Sequence, residues 1–444
     1  MTKTAPFSVK VAKRHLVPLA HLRERAGVRE TLMANRCFYD PGRRFAMSVR
    51  LTGCISGTAN LPAWAMLACL LLLAGCAPTR GYESLLALVD AGAGAGPSRL
   101  KAVTASPART PVSYTIAGRR HSGDLYLPGA DAPEAAIVLV PGAVPGGKDD
   151  PRLAAFATTL ARARFAVLVP DLPGFRDLRI QPTDARVVAD AFAYLASRPE
   201  LAPGGRAGIG AFSYAVGPAV LAALEEDIRD RVRFVLGVGG YHDLARAVAY
   251  FTTGWFEHEG RWHYLKPDDY GRMVFAKSCL PQLPPRDRVI VEQMVAIKLK
   301  DVAADISRLA PGLGLEGRAV YALLTNTDPG RAPQLIAALP PGLRADIAAL
   351  SLHNKDIGHL KARLILVHGE NDNLIPYPES IALAAAAPSG QARLFIIRRI
   401  LGHVDLSLSH ILSREFLGRE LPDAWRMWRA VDALLAERQA EIEP

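Results

Sequence analysis

The stretch Arg206-Ala-Gly-Ile-Gly-Ala-Phe-Ser213-Tyr-Ala-Val-Gly-Pro-Ala-Val-Leu-Ala-Ala-Leu224 joins two patterns that decide the fold. Its first residues are small and apolar, as in a buried strand, and the residues after Ser213 repeat apolar side chains as in a helix packed on a sheet. Ala211 and Ala215 flank the serine at two residues' distance, where strand and helix come closest. The pattern predicts a strand, a sharp turn that carries Ser213, and a helix. Alone, it is equally typical of an ordinary strand–helix junction with a capping serine.

Two later stretches have the form of a buried strand followed by a polar loop. Leu364-Ile-Leu-Val-His-Gly-Glu-Asn-Asp372-Asn-Leu-Ile-Pro376 presents Asp372, and Leu394-Phe-Ile-Ile-Arg-Arg-Ile-Leu-Gly-His403 presents His403. A serine hydroxyl is a weak nucleophile that needs an adjacent base, and the base needs a carboxylate to fix its tautomer. Glu370 is an alternative acid.

In chain order the three residues are Ser213, Asp372 and His403, each just past a predicted strand. In this order and setting, the chain from about residue 110 onward resembles the α/β-hydrolase superfamily, in its esterase, dienelactone hydrolase and serine aminopeptidase-like branches. The resemblance implies an α/β fold, with a mostly parallel central sheet flanked by helices and a helical cap insertion. It assigns Ser213 as nucleophile, His403 as general base and then acid, and Asp372 as the orienting carboxylate. The alanines beside Ser213 depart from the usual G-x-S-x-G.

The loop Pro141-Gly-Ala-Val-Pro-Gly-Gly-Lys148 follows an unbroken apolar strand and lies where this superfamily keeps its oxyanion loop. The role requires a backbone N–H directed at the developing negative charge. We expect the N–H of Ala143 to act with that of Tyr214, the residue after the nucleophile. Gly142 or Val144 could replace Ala143.

The alternation of strands and helices suggests a core in two parts, residues 111–240 and 362–444, separated by a helical cap over residues 241–361. Aromatic side chains cluster in the first part of the cap, where they either line an acyl or alcohol pocket or form the core of the cap itself: Tyr250, Phe251, Trp255, Phe256, Trp262 and Tyr264.

The segment Leu61-Pro-Ala-Trp-Ala-Met-Leu-Ala-Cys-Leu-Leu-Leu-Leu-Ala-Gly-Cys76 is apolar and uncharged, and it is short for a membrane span. Its end resembles a bacterial lipobox, which implies a lipoprotein signal peptide over residues 47–75 and lipidation of Cys76. We interpret residues 1–46 as a mis-assigned or disordered extension, and residues 76–110 as a flexible tether. The domain would then be a membrane-anchored envelope lipoprotein facing the periplasm or exterior. Ala77 favours the outer membrane over the inner.

The net charge of +10 comes mainly from residues 1–75, which hold eleven lysines and arginines against three acidic residues. The rest of the chain is nearly neutral, so we expect no nucleic-acid partner. We also expect no cofactor and no metal. His258-Glu-Gly-Arg-Trp-His263 is one residue too long for the helical zinc motif, and we interpret it as a solvated loop.

Together these patterns predict a serine hydrolase, in the first place a carboxylesterase that acts on small-molecule esters through an acyl-serine intermediate. A peptidase or an acyltransferase on the same three residues is the alternative among enzymes. An envelope-anchored binding protein that keeps the fold without activity is the alternative from another class.

Overall fold

The computed structural model describes residues 78–403 and 420–439. The expected extension 1–46, the signal peptide 47–75 and Cys76 therefore lie outside the described residues.

A single eight-stranded sheet forms the centre of the core, in the spatial order β1-β2-β4-β3-β5-β6-β9-β10. Its strands are β1 (Ala108–Ile116), β2 (Arg119–Leu127), β3 (Ala135–Val140), β4 (Phe165–Pro170), β5 (Ala207–Phe212), β6 (Phe234–Val238), β9 (Arg363–Gly369) and β10 (Ala392–Ile397). Only β2 runs against its neighbours; the other adjacent pairs are parallel.

Helices cover both faces of this sheet. They are α1 (Pro78–Ala93), α2 (Arg99–Val103), α3 (Pro151–Arg162), α4 (Pro173–Arg176), α5 (Asp184–Ala196) and α6 (Val216–Leu224) before the cap, and α13 (Pro378–Ala386) and α14 (Leu421–Ala436) after it. Alternate residues of β3 enter different hydrophobic clusters, Ala136 and Val138 on one face and Ile137 and Leu139 on the other. Burial on both faces explains why the central strands are unbroken apolar runs. The predicted α/β fold, with a mostly parallel central sheet flanked by helices, is confirmed.

The segment expected to be a cap consists mainly of helices: α7 (Leu244–Thr253), α8 (Tyr270–Cys279), α9 (Pro285–Lys300), α10 (Leu315–Leu324), α11 (Ala332–Ala337) and α12 (Pro341–Leu350). It also contains an antiparallel hairpin of β7 (Trp255–His258) and β8 (Arg261–Tyr264), which the sequence did not suggest. The stretch from His258 to His263 is therefore the end of this hairpin and not a loop, and residues 259–263 are exposed to solvent as expected.

The tether expected over residues 76–110 is wrong for the described residues. Residues 78–93 form α1, and β1 already begins at Ala108. Helix α1 packs against α14 and α3. Its Asp90 is fully buried and accepts a hydrogen bond from Thr159 on α3 at 2.6 Å. The Gly- and Ala-rich composition suggested flexibility, but the partners that order this helix lie far away in the sequence.

No helix within the two described ranges is both long and apolar enough to cross a bilayer.

Candidate active site

Ser213 lies at the sharp turn between β5 and α6. Its φ of +57° is in the left-handed region that side chains other than glycine rarely occupy, so the backbone is strained there. Ala211 and Ala215 are both fully buried, which explains why only small residues fit on either side of the turn. The turn predicted from the sequence is present, and it holds Ser213 at the carboxyl end of a central strand.

Asp372 and His403 are brought together after the adjacent strands β9 and β10. His403 Nδ1 lies 2.7 Å from Asp372 Oδ2, so the ring donates this hydrogen bond to the carboxylate. The other oxygen, Oδ1, accepts the backbone N–H groups of Leu374 at 2.8 Å and Ile375 at 2.9 Å. Asp372 is fully buried, and each of its oxygens has a donor.

A second histidine, His368 of β9, also contacts the carboxylate of Asp372. Its Nε2 lies 2.9 Å from the carbonyl of Ile375 and 3.3 Å from Asp372 Oδ2, so Nε2 carries the proton. Its Nδ1 then accepts from the hydroxyl of Ser380 at 2.7 Å. Burial by itself would raise the pKa of Asp372. The charge of His403 and the hydrogen bonds from both histidines outweigh burial and hold that pKa well below its usual range.

Two glycines allow the acid and the base to come this close. A Cβ on Gly239, which follows β6 with φ +64°, would lie 3.1 Å from Asp372 Oδ2 and 3.1 Å from the carbonyl of His403. A Cβ on Gly369, at the end of β9, would meet the carbonyl oxygen of Gly402 at 2.3 Å. Sequence reasoning missed both positions, because their contacts come from other strands.

Ser213 and His403 line one cleft, together with Ala143, Tyr214 and Gly402. Among the described residues, the Ser213 hydroxyl makes no hydrogen bond to His403. Catalytic hydrogen bonds of this kind are often long before substrate binds, so this arrangement is compatible with a nucleophile and its base.

The loop of residues 141–150 is fixed from two sides. Tyr270 of α8 in the cap donates its hydroxyl to the carbonyl of Ala143 at 2.7 Å. Lys148 Nζ contacts Asp124 Oδ2 of β2 at 2.8 Å. In the described part of the chain, no hydrogen bond engages the backbone N–H of Ala143 or of Tyr214. Both residues border the cleft that contains Ser213.

The cap is also bonded to the loop that carries the acid. Tyr250 of α7 donates its hydroxyl to the carbonyl of Asp372 at 3.2 Å, and the N–H of Asp268 donates to the carbonyl of Asn373 at 2.8 Å. Tyr214 adds a hydroxyl bond to the carbonyl of Leu374 at 3.2 Å. These contacts tie the acid loop to the cap and to the residue after Ser213.

The six cap aromatics do not form the wall of this cleft. Tyr250 and Phe251 are buried inside the protein, whereas Trp255, Trp262 and Tyr264 are exposed. Residues of the cap that border the cleft are instead Asp268, Tyr270 and Val274. Phe251 borders a separate small apolar cavity, beyond Tyr214.

In the hairpin, the rings of His258 and His263 are 6.2 Å apart. Within the described ranges, no group of three or more His, Cys, Asp or Glu side chains could hold a metal ion.

Comparison with known proteins gives likeness of fold only. No family model matches the sequence, and no curated protein matches it. Among solved structures, 2,6-dihydroxy-pseudo-oxynicotine hydrolase is 12% identical over 74% of this chain and 69% of its own, with a TM-score of 0.42. A candidate hydrolase from Legionella pneumophila is 12% identical over 77% of this chain and 92% of its own, with a TM-score of 0.48. An esterase from Pyrococcus furiosus is 12% identical over 75% of this chain and 91% of its own, with a TM-score of 0.39. Matches at these identities and TM-scores say nothing about substrate.

Proposed function

We propose that this protein is a serine hydrolase, in the first place a carboxylesterase, that acts through an acyl-serine intermediate. The observation that carries the proposal is the hydrogen-bonded pair of Asp372 and His403 at the cleft that also contains the strained Ser213. An ordinary strand–helix junction would have no reason to share a cleft with a histidine that is bonded to a buried carboxylate.

In the proposed reaction, Ser213 Oγ attacks the ester carbonyl while His403 Nε2 takes its proton. Asp372 holds the proton on Nδ1 of the same ring and stabilises the imidazolium that forms. The imidazolium then gives its Nε2 proton to the departing alcohol, and the acyl group stays on Ser213. Water, deprotonated by His403, attacks the acyl-serine, and the proton returns to Ser213 as the acid leaves.

The oxyanion of each tetrahedral intermediate needs donors that are already in place. We assign the N–H of Tyr214 and the N–H of Ala143, and keep Gly142 and Val144 as alternatives to Ala143. The bond from Tyr270 holds the peptide unit between Ala143 and Val144 and so limits the movement of the loop that carries these candidate donors.

The cleft favours an apolar substrate. Its lining includes the apolar residues Phe156, Phe212, Val238, Leu374 and Leu401. An apolar wall suits the acyl chain or alcohol of an ester better than a charged peptide. A peptidase or acyltransferase on the same three residues, and an inactive binding protein, are the competing possibilities.

We also propose that the protein is tethered to the cell envelope through a lipid on Cys76, outside the cytoplasmic membrane, with the outer membrane favoured. The Leu-Ala-Gly-Cys sequence at residues 73–76 supports this proposal. Intact mass of the protein from membranes tests it: a diacylglyceryl cysteine as the first residue is expected, and an unmodified Cys76 would contradict it.

Hydrolysis of p-nitrophenyl esters of graded chain length tests the enzymatic proposal. The full chain should be active with a maximum at one chain length, and Ser213→Ala should lose the activity while keeping its far-UV circular dichroism. Activity that survives in Ser213→Ala would refute the assignment. A folded protein inactive on every ester would favour an amide substrate, a transferase reaction or an inert binder.

A further inference from the structure

Helix α1 exposes large apolar side chains on one face, although its charged side chains point towards the core. A surface helix normally buries an apolar stripe and exposes its charges. Besides Thr79, the exposed side chains of α1 are Tyr82, Leu85 and Val89, which share one face and have exposed fractions of 51%, 44% and 39%. This apolar face has no partner among the described residues.

The charged groups of α1 are instead bonded to the rest of the core. Arg80 pairs with Asp432 at 2.8 Å. Glu83 pairs with Arg438, which is almost fully buried. Asp90 is buried and contacts Lys101 at 2.9 Å. Each charged side chain of the helix therefore has an internal partner, and these bonds fix which face of the helix points outward.

The position of the helix in the chain indicates what covers that face. The described chain begins at residue 78, and the uncharged apolar segment 61–76 ends two positions before it. Only Ala77 lies between Cys76 and Pro78, the first residue of α1, so these two residues are roughly 7 Å apart at most. A lipid on Cys76 would therefore hold the start of this helix at the membrane surface.

We propose that the outer face of α1, formed by Tyr82, Leu85 and Val89, rests in the headgroup region of the lipid bilayer to which the chain is anchored. Apolar side chains of a helix lying in the interface are buried at the headgroup–acyl boundary, and tyrosine is enriched at that depth. The choice of the bilayer as the partner rests on the proposed envelope tether, and the choice of this surface rests on the exposed apolar face of the helix.

This contact would orient the active site. The same helix contributes Leu88 and Ala91 to the wall of the cleft that contains Ser213. With α1 on the bilayer, the cleft would lie close to the membrane surface, where apolar esters concentrate.

Site-directed spin labelling of the full chain tests the proposal. The label is placed at Leu85→Cys, and at Val289→Cys on α9 as the control, because Val289 is also an exposed apolar residue of a helix. Cys37, Cys54 and Cys69 are replaced by serine, and Cys279 is retained because its thiol is buried. The protein is reconstituted in vesicles of phosphatidylethanolamine and phosphatidylglycerol. Collision with oxygen and with a water-soluble nickel chelate is then measured.

At position 85 we expect collisions with oxygen to exceed those with the nickel chelate, and the reverse at position 289. Equal access of nickel to both positions would overturn the proposal. Spin–spin coupling between labels at position 85 would overturn it in favour of a second copy of the chain. A label shielded from both reagents would overturn it in favour of another segment of the same chain. The intact mass of the same sample shows separately whether Cys76 carries a lipid. The absence of the lipid anchor is thereby distinguished from the absence of membrane contact by α1.

Discussion

At the scale of single residues, the close approach at Gly239 leaves no room for a side chain between the acid and the base. A methyl group there would press on Asp372 Oδ2 and on the backbone of His403, and the φ of +64° would be strained. We expect Gly239→Ala to lower kcat/KM at least about 10-fold, because small displacements of catalytic groups are costly.

Gly205→Ala is the matched control for this prediction. Gly205 has a similar φ of +66°, but a Cβ there would have nothing within 4 Å. This variant should share the backbone strain, about 1 kcal/mol, and keep its activity. Steady-state kinetics of both variants measure the loss of activity, and urea unfolding measures the backbone strain that they share. Equal activity of the two would mean that Gly239 does not set the geometry of the acid and base.

The carboxylate of Asp372 gives a prediction with a pH dependence. We expect Asp372→Asn to lower kcat about 10³- to 10⁴-fold, since an amide favours the wrong tautomer of His403. Because the folded pKa of Asp372 lies below its usual value, ionised Asp372 stabilises the fold above about pH 4, and this stabilisation is lost as the pH falls below that value.

The difference in free energy of unfolding between wild type and Asp372→Asn should therefore be largest near neutral pH and shrink in acid. Urea unfolding at a series of pH values measures it. A difference that grows towards low pH would show that the pKa of Asp372 is raised in the folded protein.

At the scale of elements, cap helix α8 is hydrogen-bonded to the loop of residues 141–150 through Tyr270. Burial raises the pKa of Tyr270 to about 12, so its phenol stays protonated and keeps donating to the carbonyl of Ala143 across the working pH range. We expect Tyr270→Phe to lower kcat about 3- to 10-fold with little change in KM, in line with the ~1 kcal/mol of one hydrogen bond.

Tyr264→Phe serves as the control, because Tyr264 is a cap tyrosine exposed to solvent. It should have the kinetics of the wild type. If Tyr270→Phe changed KM alone, Tyr270 would be a substrate contact and would not position the loop of residues 141–150.

The elements differ in how far the sequence predicts them. Strands β5 and β9 and the turn at Ser213 are predictable because buried parallel strands are unbroken apolar runs. The bond from Tyr270 to Ala143 spans 127 residues, and no local pattern contains it. Helix α1 was missed for a similar reason, since Asp90 and Thr159 are 69 residues apart. Contacts of this kind depend on the assembled fold.

At the scale of the whole described molecule, the cap and the core are joined by a buried carboxylate. Glu379 of α13 accepts the N–H groups of His242 at 3.0 Å and Asp243 at 2.7 Å, just before α7, and contacts Arg246 at 3.1 Å. Removing one partner of a buried charged network leaves the other polar groups without a partner and destabilises the fold. We therefore expect Glu379→Ala to reduce the free energy of unfolding by about 3 kcal/mol.

Because Glu379 bonds the cap to the core, we expect the cap and the core to unfold together. Far-UV circular dichroism and tryptophan fluorescence should give one coincident transition in the wild type. Glu292→Ala, which removes an exposed ion pair with Lys277 within the cap, should change stability by less than about 1 kcal/mol. Two separated transitions in the wild type would show that the cap is an independent unit.

The central claim is that Ser213 is a nucleophile activated by His403 and Asp372, and labelling by a fluorophosphonate tests it most directly. Such a reagent phosphonylates a serine only where a base takes its proton and the oxyanion is stabilised. We expect mass spectrometry to locate the label on Ser213 in the wild type, weakened labelling in Asp372→Asn, and none in Ser213→Ala. A folded wild-type protein that carries no label on Ser213, or carries it elsewhere, would contradict the account.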